Sequence, residues 1–158
     1  MGFTTYLEYL KEAKQKLISK HYSMYDTCNS ATAKAEGIDN TIPVELTPNA
    51  ILVTAKILEP LCIYFKTRPD VSCMFRCPAL NKIVGGVAGS QHVKAQAVDF
   101  VIVGVSLIDI VNYVRNNLEF DQIILEESGG KKWIHVSYSS MTNRRECLKY
   151  LNGKYISF

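Results

Sequence analysis

Between Ala97 and Val103 the chain reads A-V-D-F-V-I-V, an apolar run with one carboxylate near its start. Gly104 ends the run, so it has the length of one buried strand rather than of a core helix. Asp99 therefore rides on a strand. Seven residues earlier stands His92, in the stretch S-Q-H-V-K-A-Q that follows a loop opened by Gly85-Gly86. A second stretch, K-W-I-H-V-S-Y from Lys132 to Tyr138, alternates and carries His135 beside the only tryptophan, Trp133. On a strand Trp133, His135 and Ser137 share one face; Ile134, Val136 and Tyr138 take the other, the core face. Both stretches read as chain aimed into one cleft. Two imidazoles and one carboxylate suit a catalytic zinc ion that keeps its fourth position open for water. Zinc would bring the pKa of such a water to about 7.

Hydrolysis by such a site also needs a base to take a proton from water and return it to the leaving amine. Glu126 and Glu127 are the candidates, on a strand from Gln122 to Glu126 that E-S-G-G-K joins to the His135 strand. Gly129-Gly130 is a hairpin turn signal. With those two residues as the turn, Glu126 faces Trp133 and Glu127 faces Lys132. Glu126 then projects on the His135 face and is the favoured base; a slip of one residue reverses the choice.

The pattern Ser90, His92, Ala97, Asp99, followed by Trp133 and His135, resembles S-x-H-x-x-G-x-A-x-D and W-x-H of the zinc D-Ala-D-Ala carboxypeptidase family. That family contains bacterial wall-trimming peptidases, vancomycin-resistance dipeptidases and phage peptidoglycan hydrolases, and it shares its fold with the Hedgehog signalling domain. The chain looks like the short, single-domain phage-type branch, and the likeness runs from about Asn29 to the C-terminus. Upstream, V-S-C-M-F-R-C-P-A-L-N-K-I-V-G-G resembles the family's S-G-Y-R-x-P-x-x-N-x-x-x-G-G, with Arg76 and Asn81 kept. The resemblance implies zinc held by His92, Asp99 and His135. It implies substrate contacts at Arg76, whose fork suits a carboxylate, and at Ser90 and Gln91. The implied substrates are peptidoglycan stem peptides, cut in a carboxypeptidase-like or endolysin-like manner. A module that keeps the metal without turning over, such as a phage virion component, is the alternative. Two positions depart from the pattern. Ala95 replaces a glycine, and is expected at negative φ with room for its methyl. Lys132 stands where several relatives place the acid, three residues before the second histidine.

Elsewhere the periodicity predicts an amphipathic helix over residues 5–18, with Tyr6, Leu7, Leu10, Ala13 and Leu17 on one side. Residues 1–28 form an N-terminal helix or arm, read as packing on the domain or as docking virion proteins; residues 29–158 form the zinc peptidase domain. His21 is read as a surface residue. Asn29 or Ser30 caps a short helix through Ala35 that Gly37 stops. Thr47-Pro48 opens a longer helix, with a kink or break expected at Pro60. Val71–Arg76 reads as a strand, residues 78–84 as a short helix, and Ser106 caps a helix through Arg115. Asn143–Leu148 reads as a last helical turn, Asn152-Gly153 as a turn and the tail from Lys154 as a strand. Strands and helices without a β-α-β repeat give an α+β fold, an antiparallel sheet flanked by helices.

The 158 residues, 47% of them hydrophobic, suffice for one core. A formal charge of +3 is too weak to argue for nucleic acid. The five cysteines have no scaffold spacing and read as reduced thiols; C-x-x-x-C at Cys73 and Cys77 lacks the second half of a zinc site. The N-terminal stretch lacks the apolar segment of a signal peptide, and the run Phe100–Ile110 is too short to span a bilayer. The expectation is a protein made in the cytoplasm that acts on the cell wall after release or within a phage particle.

Overall fold

The computed structural model describes residues 3–151 and 153–158. Six strands form one sheet: β1 (Asp70–Cys73), β2 (Ala97–Val101), β3 (Gln122–Ser128), β4 (Lys131–Ser137), β5 (Glu146–Leu151) and β6 (Lys154–Ser157). Their spatial order is β1-β2-β4-β3-β5-β6. Neighbours are antiparallel except β3 and β5, which run parallel. The fold is α+β as expected, with one parallel pair inside the sheet. The helices are α1 (Phe3–Ala13), α2 (Met24–Cys28), α3 (Ala31–Ala35), α4 (Thr47–Val53), α5 (Glu59–Phe65), α6 (Pro78–Ile83) and α7 (Leu107–Asn117).

Strand alternation divides the sheet into two faces. Val98, Phe100, Ile123, Ile134 and Val136 point to one side, where they are fully buried. Helices cover them with Tyr6 and Leu10 of α1, Val53 of α4, Leu61 of α5, and Ile110, Val111 and Val114 of α7. The other face carries Asp99, His135, Glu126 and Gln122 and is not filled by helices; it lines a cleft.

Several local expectations change. The first helix stops at Ala13, and Leu17, read as part of its apolar stripe, is exposed. The chain turns back there through a bridge between Leu17 and Ser23, and Ser23 with Asp26 boxes the start of α2. His21 is not a bystander: its backbone N–H donates to Glu59 and its Nδ1 lies 2.7 Å from Glu59 Oε2. Residues 143–148 form no helical turn. Glu146–Leu151 instead pairs along β3, where tertiary hydrogen bonds outweigh a weak local preference. The strand expected over Val71–Arg76 ends at Cys73. The tail is β6; Asn152 of the expected turn lies outside the described residues.

Pro60 does not break its helix. Residues Thr54–Leu58 form a π-turn immediately before it, so the helical stretch runs on from Val44 to Phe65. Proline has no N–H for the carbonyl four residues back, and a locally widened turn absorbs that missing bond. By length and composition this stretch could cross a membrane. Here Ala50, Val53, Ile57, Leu58 and Leu61 are wholly buried in the core.

Ala95 departs most clearly from expectation. It sits at φ 53°, ψ 32°, left-handed, ending the 3₁₀ turn Gln91–Lys94. Its N–H donates back to His92 at 3.1 Å, and its methyl is fully buried. The turn requires positive φ whichever residue occupies it. Glycine would relieve about 1–2 kcal/mol of left-handed strain. It would also lose about 0.8 kcal/mol of buried methyl and about 0.4–1 kcal/mol through unfolded-state entropy. Ala95→Gly should therefore move the urea unfolding free energy by less than about 1 kcal/mol, whereas Ala95→Val, β-branched at positive φ, should lower it by about 2 kcal/mol or more.

Candidate metal centre

Asp99 and His135 are direct partners across the β2–β4 ladder, so the sheet itself sets them side by side. His92 reaches them from the 3₁₀ turn. His92 Nε2 lies 3.2 Å from Asp99 Oδ1 and 3.1 Å from His135 Nδ1; His135 Nδ1 lies 2.9 Å from the same Asp99 oxygen. Three donor atoms thus form a nearly equilateral triangle. A tetrahedral zinc with ligands at about 2.0–2.1 Å spaces its donors about 3.3–3.4 Å apart. The observed edges are within a few tenths of an ångström of that.

The tautomer of His92 agrees. Its Nδ1 lies 2.7 Å from the Met74 carbonyl oxygen. A carbonyl only accepts, so Nδ1 carries the hydrogen and, in the neutral ring, Nε2 presents a lone pair to the triangle. His92 is 1% exposed. Burial alone would push the Asp99 carboxyl up, but the neighbouring His92 and His135 outweigh it and hold it well below the usual carboxylate range. The donor set is therefore one anionic oxygen and two imidazoles, a set that fits zinc.

Cys73 lies against the back of the His92 ring, its Sγ 3.6 Å from Nδ1. Burial, and then the Asp99 charge, push its thiol up, and its Sγ with His92 and Asp99 forms a second set of donor atoms within 4.8 Å of one another. Cys77 caps α6 by accepting from Leu80 N–H. The two ends of C-x-x-x-C thus do different things.

The hairpin has the register expected from a Gly129-Gly130 turn: Glu126 opposite Trp133 and Glu127 opposite Lys132. Glu127 pairs with Lys132 at 3.2 Å on the exposed side. Glu126 lies on the cleft face, where a carboxylate oxygen is within 4.8 Å of the ligand atoms of Asp99 and His135. It has no hydrogen bond or ion pair among the described residues. Burial first, and then the Asp99 charge, raise its pKa above the ordinary 4.5.

The cleft holds about 590 Å³. Arg76 lines it, 3.4 Å from Ser90 Oγ through Nη2 and without a carboxylate partner among the described residues. Arg76 Nε and Trp133 Nε1 are buried donors without a partner among the described residues. Ser90 Oγ also receives the His92 backbone N–H. Gln91 donates its side-chain amide to Asp121, which in turn holds Arg144. Sequence reasoning overlooked three further residues of this cleft, Arg144, Tyr150 and Tyr155. All lie on or beside strands whose position depends on the parallel β3–β5 pairing, which no local signal announces.

The profile described as peptidase M15 matches residues 20–137, a span that takes in α2 to β4 and the whole triangle. The chain belongs to the peptidase M15 family. This is a family of zinc metallopeptidases, which accords with the donor set. The chain matches none of the curated proteins. β5 and β6 lie beyond the matched span.

The loop that delivers His92 to this M15 site depends on Asn81. Its Nδ2 donates to the carbonyls of Gly86 (3.2 Å) and Val87 (2.9 Å). A Cβ on Gly86 would stand 2.2 Å from Asn81 Oδ1. Gly86→Ala should therefore displace Asn81, lower stability by about 2 kcal/mol through the lost buried bonds, and weaken zinc binding in a competitive chelator titration. Gly89→Ala, with open space around it, should stay within about 0.5 kcal/mol of the parent.

Glu126 supplies a second test. A raised carboxyl pKa means that the fold favours the protonated form. Ionisation above the unfolded-state pKa therefore costs stability, and that cost vanishes at lower pH. In chelator, Glu126→Gln should melt higher than the parent at pH 7, and the difference should close below about pH 4. Equal melting temperatures at both pH values would contradict this.

Proposed function

We propose that this M15 chain is a zinc-dependent peptidase acting on peptidoglycan stem peptides, in a carboxypeptidase-like or endolysin-like manner. His92 Nε2, His135 Nδ1 and Asp99 Oδ1 would hold the ion. When bound, zinc supplies Lewis-acid chemistry, acidifying water and polarising a carbonyl. Glu126 is the general base: its carboxylate accepts a proton from the attacking water and passes it to the leaving amine nitrogen. Its lack of any other partner leaves both oxygens available for that transfer. Arg76 binds a substrate carboxylate, for which its fork is suited and which it lacks among the described residues. Ser90 orients Arg76 and the His92 turn, and Gln91 holds the floor of the cleft through Asp121.

The observation that carries this reading is the company Glu126 keeps. A half-buried, unbonded carboxylate beside three converging donors is placed to serve as a base in hydrolysis. Structural zinc sites are closed by four protein ligands, whereas this triangle leaves one side open to the cleft. The stem-peptide assignment adds to this the unpaired Arg76, since wall stem peptides present carboxylates.

The test is incubation of the zinc-loaded protein with purified muropeptides, read by mass spectrometry. The wild type should release defined peptide products. Glu126→Gln should keep stoichiometric zinc and the fold while losing turnover by roughly 10²–10⁴-fold. Glu127→Gln should remain near wild type. A zinc-loaded wild type that leaves every wall type uncut would favour the non-catalytic module.

A further inference from the structure

The cleft continues past the metal centre. Ile124 stands opposite His135 across β3–β4, and Leu148 opposite Ile124 across β3–β5. Two residues further along, the ladder brings Trp133 opposite Glu126; the parallel pairing ends at Leu125 and Lys149, and the residues just beyond it, Glu126 and Tyr150, both line the cleft. Tyr150 is in turn paired with Tyr155 on β6. One row therefore crosses four strands on the cleft face: Trp133, Glu126, Tyr150, Tyr155. The two tyrosine rings stand 4.9 Å apart between centroids, and both residues line the cleft. Tyr155 is 58% exposed. Burial raises its phenol pKa, and the Glu126 carboxylate raises it further. The ring thus stands within electrostatic reach of the proposed base.

Neighbouring strands are about 4.8 Å apart, so β5 and β6 lie roughly 10 and 14 Å from β4. An extended peptide advances about 3.3–3.4 Å per residue. Chain running along this row from the metal centre meets the tyrosines about three to four residues from the scissile bond. Arg76 follows β1, at the other end of the strand order from β6, and its charge reaches Glu126 and Tyr155 across the cleft. A substrate whose carboxylate sits on Arg76 therefore lays its N-terminal portion across β3 toward β5 and β6.

We propose that Tyr150 and Tyr155 form an aromatic shelf that binds substrate residues about three to four positions on the N-terminal side of the scissile bond, selecting multi-residue peptides over dipeptides. The shelf lies outside the matched M15 span and rests on the site reading above. Apolar peptide atoms and side-chain stems cover the exposed Tyr155 ring and the half-buried Tyr150 ring beside it. Backbone and metal groups supply what every substrate needs; the shelf adds affinity only for a chain long enough to reach it.

The experiment uses the full zinc-loaded chain and two probes, a stem pentapeptide and its C-terminal dipeptide, D-Ala-D-Ala. Binding to the Glu126→Gln protein is measured by calorimetry, and kcat/KM is measured on the active protein. The pentapeptide should bind more tightly than the dipeptide. Tyr150→Ala and Tyr155→Ala should each weaken pentapeptide binding about 3- to 10-fold, raise KM with little change in kcat, and leave the dipeptide unaffected. Tyr155→Phe should retain pentapeptide binding, since the ring and not the hydroxyl carries the contact. Equal wild-type affinity for the two probes, or equal losses on both, would overturn the shelf while leaving the peptidase reading intact. A wild type that binds neither probe overturns the stem-peptide reading and the shelf with it.

Discussion

The pairing of Asp99 with His135 across β2 and β4 is the constraint on which the rest depends. Buried on a sheet, an ionised carboxylate is costly unless it is paired or bound to metal. Here the ladder supplies one imidazole at fixed spacing, and the 3₁₀ turn brings the second. The turn holds its position through Asn81 on one side and the Met74 and Arg76 backbone on the other. Left-handed Ala95 closes it. Each of these contacts lies outside the triangle and fixes the direction in which a lone pair points.

The two neighbouring glutamates show how environment divides like residues. Glu126 and Glu127 share a strand and a composition, but alternation sends one into a half-buried cleft and the other to a solvated pair with Lys132. Lys132 occupies the position that holds the acid in several resembling proteins. Its side chain leaves on the opposite face, so it does not place a positive charge beside the two imidazoles. The acid comes instead from the facing strand, which reaches the same space from the other arm of the hairpin.

Much of this was legible because it was local. Ser30 and Ser106 cap where short polar residues precede helices, and Gly129-Gly130 set a register that carried Glu126 to the correct face. The same reasoning failed where the decisive contact is distant. Cys147 and Leu148 look no more like strand than helix until β3 offers hydrogen bonds alongside. Ala95 was expected at negative φ because alanine prefers it, yet the requirement for a closed turn under His92 is stronger. A kink or a break was expected at Pro60, and the π-turn that precedes it has no sequence mark of its own. Tyr150 and Tyr155 went unnoticed for the same reason as β5: they join the site only once a parallel pair forms.

That parallel pair also grades the sheet in local stability. β3 and β4 meet through a two-residue turn, whereas β5 reaches β3 only after the chain has passed along β4 and returned. The strands bearing the metal donors are interior members of the sheet, each held on both sides. β6 is an edge strand with one side open, and β5 joins it to the interior. Edge elements open at lower free energy than the interior they rest on. Amide exchange would accordingly be fast along β6 and slow along β2 and β4. Chemistry then resides in the part of the sheet that does not breathe, and the wall beside it resides in the part that does.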